Sequence, residues 1–583
     1  MVYQIAKGQS RQLGVRAVKE GIEFCFQTSK KAECAILIYE TKVKKIKIPN
    51  NWLTGEINCV ILRQLPDMVF EYNFEIDGVI VPDPCAKVYN GAKTFASDEE
   101  RRDLRSVYFP EQIEDYLQEE IEYSSNLSET ILYKLNLRGF TMGDKGKGKH
   151  GTFQALTEKI PYLNGLGINA ILLMPVYEFN EIIPNKVLEQ REGVPKINLW
   201  GYGEGYYFAP KSSFTQGTSP VEEFKECIQA LHQHGISCYL EFDFSKEESI
   251  FTIIDVLRYW KLTYQIDGFH LIGTEREAEL ILSDPFLKES VFFMQQHLQN
   301  DHFLPYCDEF FYPVRKMQNT GLTNMQELLS AMFPNELKLN YLADQNGFTL
   351  YDLFSYEQKH NEANGEYNLD GSDYNFSTNC GVEGETKKRG ILELRYQKIK
   401  NALIMLYFSH GVPMLFSGDE SGNTQQGNNN AYCQDNLVGW VDQKQTTASK
   451  QLLQFTSELI SFRKRHDILN QSTPYLMKDT KSCGYPDLSF HGENAWITFG
   501  IEMRQSIGIL FGGEYGFTNK DYIYLAMNFS NQMKKLALPK LPGKKQWYLE
   551  IDTSQKESFV TSEIITTKEI TVPAGIFLVL TGR

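Results

Sequence analysis

The chain has no apolar run long enough to cross a bilayer. Its longest runs, residues 170–177 and 402–408, fall far short of the ~20 residues required. Its opening, MVYQIAKGQSRQLG, lacks the apolar stretch of a secretory signal, so no targeting segment is expected. A positive balance is also missing. Lys and Arg number 59 against 74 Asp and Glu, and the net charge of −15 argues against nucleic acid or an anionic membrane as the main partner. Cysteines are scarce and scattered, ten in 583 residues, with no Cys-x-x-Cys pair and no Cys/His cluster at metal spacing. Reduced thiols in a cytoplasmic protein, with no metal and no cofactor, are the expectation. Internal repeats and low-complexity tracts are absent, since residues 424–430 (TQQGNNN) are too short to count.

What is present is ordinary in composition, 42% apolar and 23% charged, and can bury a large core. The length implies three or four domains, or one large barrel with attachments. Aromatic residues reach 13%, with 32 Tyr and 37 Phe, a supply that suits core packing and also stacking on sugar faces.

Residues 1–105 read as a small β-sandwich. Gly21–Gln27 (GIEFCFQ) alternates, as do 35–39 and 69–76, with turns at 50–51, 77–78 and 82–84. Residues 106–129 are charged and lack apolar periodicity, which marks a connector. Over 130–465 helical and extended patterns alternate. Phe153, Leu156, Ile160, Leu163 and Leu166 share one helical face before the apolar strand 168–176. Ser219, Pro220 and Glu222 open the next helix as N-cap, first residue and capping-box partner. Strand 236–244 follows; helix 251–264 then leads into 267–273, and helix 392–408 into 412–418. Repeated helix-then-strand units predict a parallel sheet covered by helices, and over this length a (β/α)8 TIM barrel. Active residues then belong at the C-terminal ends of its strands. Residues 466–583 return to β pattern and predict a C-terminal β-sandwich.

Four segments carry a resemblance. Residues 133–141 (YKLNLRGFT), 198–210 (NLWGYGEGYYFAP), 347–384 (GFTLYDLFSYEQKHNEANGE…NCGVEG) and 411–436 (GVPMLFSGDESGNTQQGNNNAYCQDN) resemble the isoamylase and glycogen-debranching branch of glycoside hydrolase family 13. The resemblance implies an N-terminal carbohydrate-binding module of the family 48 type, a catalytic barrel and a C-terminal β-domain. It also implies hydrolysis of α-1,6 branch points in glycogen or starch with retention. That reaction needs a carboxylate nucleophile, a carboxylic acid and a third carboxylate, the first two ~5–5.5 Å apart.

Mapped by their flanks, these positions are degenerate. The strand that resembles DGFRFDLA reads DGFHLIG, so the nucleophile position is Ile272 and the preceding Arg is His270. The acid position is Gln295, in DPFLKESVFFMQ. The His-Asp pair of the motif resembling AHDGFTL is Gln345-Asn346. The strand resembling DVVFNH reads EFDFSK, with Glu241 for Asp and Lys246 for His. No catalytic carboxylate is expected by this mapping, and the loops after Lys246 and Gln295 are short, which leaves a shallow cleft. Relocated carboxylates are the alternative: Asp344 two positions before Asn346, Asp243, Glu275 and Glu241. At the rim these read as solvated or structural charge, with Lys246 near enough in sequence to pair with Glu241.

For glucan contact, the resemblance points to Tyr202, next to Trp200; Tyr133 lies nearby, and Trp52 is the candidate on the N-terminal module. Three functions stay open. The first is an isoamylase-like pseudoenzyme that binds α-glucan (glycogen, starch or maltooligosaccharide) or partners an active isoamylase-type chain. The second is a working glucan hydrolase with relocated carboxylates. The third, an interaction protein without glycan ligand, is favoured if Tyr202 and Trp52 are buried.

Overall fold

The structure, a computed structural model, describes residues 3–9, 12–29, 32–97, 103–110, 126–144, 148, 150–183, 196–217, 219–244, 248–295, 302–319, 324–442, 446–496 and 500–583.

At the N-terminus two antiparallel sheets face each other. One holds Gln4–Lys7, Ile57–Arg63, Gly21–Gln27 and Gly14–Val18; the other is built on Val43–Lys47, Cys34–Tyr39, Phe70–Ile76, Arg105–Tyr108 and Val88–Asn90. Alternating residues from both, among them Phe24, Phe26, Ile36, Ile38, Tyr72 and Phe74, fill the space between them.

Two expectations are corrected here. Arg105–Tyr108 pairs with both Phe70–Ile76 and Val88–Asn90, so the connector assigned to 106–129 begins inside this sheet. Charged neighbours mask a short edge-to-edge strand whose Ser106 and Tyr108 are buried. The rest of that connector, 111–125, lies outside the described residues. Second, Cys25 and Cys59 are bonded as a disulfide, so the thiols are not all reduced. They stand 34 residues apart, and the antiparallel register that sets Cys25 opposite Cys59 brings them together. The other eight cysteines are free thiols.

The central sheet has eight parallel strands: β1 (Leu132–Leu135), β2 (Ala170–Leu173), β3 (Ser237–Asp243), β4 (Gly268–Ile272), β5 (Val291–Met294), β6 (Phe303–Pro305), β7 (Leu339–Tyr341) and β8 (Val412–Phe416). Their order, 6-5-4-3-2-1-8-7, is that of a TIM barrel. No ladder joins β6 to β7 among the described residues. Side chains close that seam instead: the rings of Tyr306 and Tyr341, which follow β6 and end β7, lie 5.0 Å apart.

The period of two along each strand divides the barrel residues into two clusters. Leu132, Leu172, Tyr239, Phe293, Leu304 and Met414 fill the interior. Ile171, Leu240, Phe242, Phe269 and Phe292 face out against the helices. Ser219 caps Pro220–Gln233, its side chain accepting from the Glu222 N–H, and Phe224, Ile228 and Leu231 of that helix are buried. The helical face 153–166 is two helices rather than one, Phe153–Glu158 and Ile160–Leu166. Pro161 has no N–H to continue the ladder across Lys159. No described helix is long and apolar enough to cross a membrane.

The C-terminal part is a six-stranded antiparallel sheet faced by the pair Lys534–Ala537 and Glu569–Val572. Leu510, Tyr522, Tyr524, Trp547, Ile570 and Val572 pack between them.

Candidate functional site

The inward positions at the C-terminal ends of the strands define the site. On β3 these are Tyr239, Glu241 and Asp243; on β4, His270 and Ile272. Their register sets Glu241 beside His270 and Asp243 beside Ile272. On β1 the inward residue is Lys134, whose side chain is completely buried, as is that of Glu241.

Lys134 Nζ lies 2.7 Å from Glu241 Oε2, and His270 Nδ1 lies 2.5 Å from the same oxygen. The Tyr202 hydroxyl donates to Glu241 Oε1. Burial alone would raise the Glu241 carboxyl, but Lys134 and His270 overcome it and hold it at about 2. Burial pushes His270 below its ordinary value, with the charge of Lys134 adding to the effect against the pull of Glu241. A neutral imidazole donating from Nδ1 to an ionised Glu241 satisfies all three groups. The His270 ring also stacks flat on Tyr306, centroids 4.4 Å apart at 7°.

Glu241 is therefore a buried ion-pair member inside the barrel: of the two readings, solvated or structural charge, it is the structural one, and it lies below the rim. Its partner is Lys134; Lys246 lies outside the described residues. Sequence reasoning passed over Lys134, although a lysine in the apolar strand LYKL signals a buried partner.

Beside this triad, a cavity of about 230 Å³ opens at the ends of β4 to β7. Ile272, Gln295 and Asn346, the three degenerate positions, all line it, together with His270 and Gln345. Three carboxylates, Glu275, Asp308 and Asp344, also lie on its wall. Asp344 accepts from the Asn346 N–H at 2.9 Å and the Tyr306 hydroxyl at 3.3 Å; burial raises its carboxyl. Asp308 accepts from the Tyr341 hydroxyl at 2.5 Å. Glu275 is exposed. Asp243 lies beyond this wall, half-buried, and accepts from the Gly203 N–H at 2.9 Å. Gln345 is 3% exposed and its Oε1 has no hydrogen-bond partner among the described residues.

The aromatic candidates separate. Tyr133 is fully buried and its hydroxyl donates to Glu420 at 2.9 Å, so it has no open face for a sugar, and that expectation is corrected. The strand period turns it away from the mouth, toward the helices. Trp200 is buried edge-on between Tyr202 and Tyr432. Tyr202 is half-buried, its hydroxyl committed to Glu241. Trp52 is half-buried against the N-terminal core.

The amide-rich segment 425–436 is knitted into 361–375. Asn361 Nδ2 donates to Asn429 Oδ1 at 2.8 Å, Asn428 Nδ2 to Asn364 Oδ1 at 2.9 Å, and Gln434 Nε2 to the same Asn364 oxygen at 2.8 Å. Fold maintenance accounts for these amides.

No protein-family profile matches the chain. It is similar to a glycogen debranching enzyme of Erwinia tasmaniensis, 31% identical over 67% of this chain and 72% of that one. Isoamylase 3 of Oryza sativa, a chloroplastic protein, is 26% identical over 95% of this chain and 84% of the relative. Among solved structures, the Group B Streptococcus pullulanase SAP superposes with a TM-score of 0.71 at 15% identity, covering 98% of this chain and 88% of that one. The catalytic module of the pneumococcal SpuA gives 0.69 at 14%, over 99% and 97%. Sequence similarity and barrel topology lead to one assignment: the chain belongs to the isoamylase and glycogen-debranching branch of glycoside hydrolase family 13.

Proposed function

We propose that this protein binds α-glucan at the barrel mouth without hydrolysing it, alone or as the subunit of an active isoamylase-type enzyme. The observation that carries the reading is the cavity wall formed by Ile272, Gln295 and Asn346. An aliphatic side chain and two amides can neither form a glycosyl ester nor protonate a leaving oxygen. They do suit a neutral polyhydroxylated ligand, because amides both donate and accept. The unpartnered Oε1 of Gln345 adds a buried acceptor that a sugar hydroxyl would satisfy. The Group B Streptococcus pullulanase has been solved with maltotetraose, and the Erwinia relative is named for glycogen debranching. Those ligands set the class we assign to this chain.

The test is reducing-sugar release from glycogen and amylopectin by the purified protein at micromolar concentration over many hours, with an active relative as control. Release equal to the buffer blank, with retardation on glycogen-containing gels, is the expected result. A second reading rests on Asp344, which lines the same cavity with its carboxyl raised by burial, the direction a general acid requires. Release that tracks the protein through purification and is abolished by Asp344→Asn would replace the first reading with this one.

A further inference from the structure

Three large apolar side chains stand almost fully in solvent on one loop of the barrel mouth. Tyr367 is 71% exposed, Leu369 81% and Tyr374 79%. Scattered exposed apolar residues need no explanation, but a cluster within eight residues does.

The loop is held rather than loose. Asn361 Nδ2 donates to the Asp370 carbonyl at 2.9 Å, and Asn429 Nδ2 to the Ser372 carbonyl at 2.8 Å. Tyr367 has φ of 57°, a left-handed conformation that costs a tyrosine of order 1 kcal/mol and that its exposed ring does not recover by packing. Neither the Tyr367 nor the Tyr374 hydroxyl has a hydrogen-bond partner among the described residues.

Two of the loop's three carboxylates are ion-paired, Glu366 with Lys196 and Asp373 with Lys359, each at 2.6 Å. The third, Asp370, accepts from the side-chain amides of Asn364 at 2.7 Å and Asn430 at 2.9 Å. The exposed face is an aromatic surface with hydroxyl edges, which suits a neutral sugar. It is also continuous with the cavity, because Tyr374, Ser372 and Asn375 line both.

We propose that residues 366–375 form a stacking platform for an α-glucan chain whose end enters the cavity, with Tyr374 at the mouth and Tyr367 farther along the chain. Seven residues separate the two rings, at most ~25 Å of backbone, which a maltooligosaccharide of several units spans. This rests on the glucan-binding reading and adds to it the residues that grip the chain outside the barrel.

The test uses the full-length protein, native gels containing glycogen, and calorimetric titration with maltoheptaose. Tyr374→Ala and Tyr367→Ala each weaken binding by about five- to tenfold and the double variant by more, while Tyr374→Phe, which keeps the ring, binds like wild type. Melting temperatures stay at the wild-type value, since neither ring is packed in the fold. Wild-type retention with an unchanged double variant overturns the platform and leaves the glucan reading standing. A wild type that is not retained at all overturns both. Loss of self-association in the double variant, with glucan retention intact, makes the loop a protein-binding surface and also overturns the platform.

Discussion

Lys134→Met removes the cation that holds the barrel's buried carboxylate. Both side chains of the Lys134–Glu241 pair are fully excluded from solvent, 2.7 Å apart. Lys134 and His270 together hold Glu241 at about 2 instead of 4.5, against the cost of its burial. Stranding one member of such a buried pair costs about 3–5 kcal/mol. For a barrel of this size that corresponds to a fall of about 4–7 °C in its melting temperature.

The sign with pH follows from a depressed carboxyl. Its stabilisation is complete above 4.5 and disappears as pH falls toward 2, so wild type and variant differ most at neutral pH and converge in acid. Calorimetric melting from pH 3 to pH 7 reads both effects. Adding Glu241→Gln restores most of the loss, because an amide still accepts from His270 and Tyr202 without a charge to solvate. A Lys134→Met protein that melts within about 1 °C of wild type at pH 7 would refute the reasoning. So would a double variant less stable than the single.

Three further outcomes are expected. Reducing the Cys25–Cys59 bond, or replacing both residues with Ala, destabilises the N-terminal sandwich by up to ~4 kcal/mol, the closure entropy of a 34-residue loop, seen as a lower urea midpoint for its transition. Ile272→Asp with Gln295→Glu and Asn346→Asp yields no sugar release from glycogen above the blank. The reason is that few residues separate the end of β3 at Asp243 from the helix beginning at Ile250, too few to build a cleft wall. Asn361→Ala, which unpins segment 425–436 from the 361–375 loop, costs about 1–3 kcal/mol and makes that loop a preferred site of limited proteolysis.

The architecture was legible because period and punctuation agree along the barrel. Ser219, Pro220 and the stripe of Phe224, Ile228 and Leu231 announce a helix that the structure contains, and 168–176 announces a strand. Glu241 beside His270 was not legible. Each lies on its own strand, and only parallel register sets them in contact. Lys134 was visible as a charge in an apolar strand, yet its partner lies more than a hundred residues away. Cys25 and Cys59 failed in the same way, as did Arg105–Tyr108, whose strand character comes from its neighbours rather than from its own pattern. Tyr133 was assigned to the mouth by proximity in sequence to a glucan-type motif, whereas the period of two turns it outward. Exposure of Tyr367 and Tyr374 has no signature in composition, since the same residue type fills the core elsewhere.

The seam between β6 and β7 gives the barrel a direction of weakness. Six of its walls are zipped to both neighbours, while these two meet through the faces of Tyr306 and Tyr341. The cavity straddles that join, with both tyrosines on its lining. A guest seated there touches both lips of the split and acts as a clasp, so that its affinity is drawn on to keep the cylinder shut. Occupancy and closure of the barrel are thereby linked: a ligand bound across this join stabilises the closed cylinder by its own binding free energy.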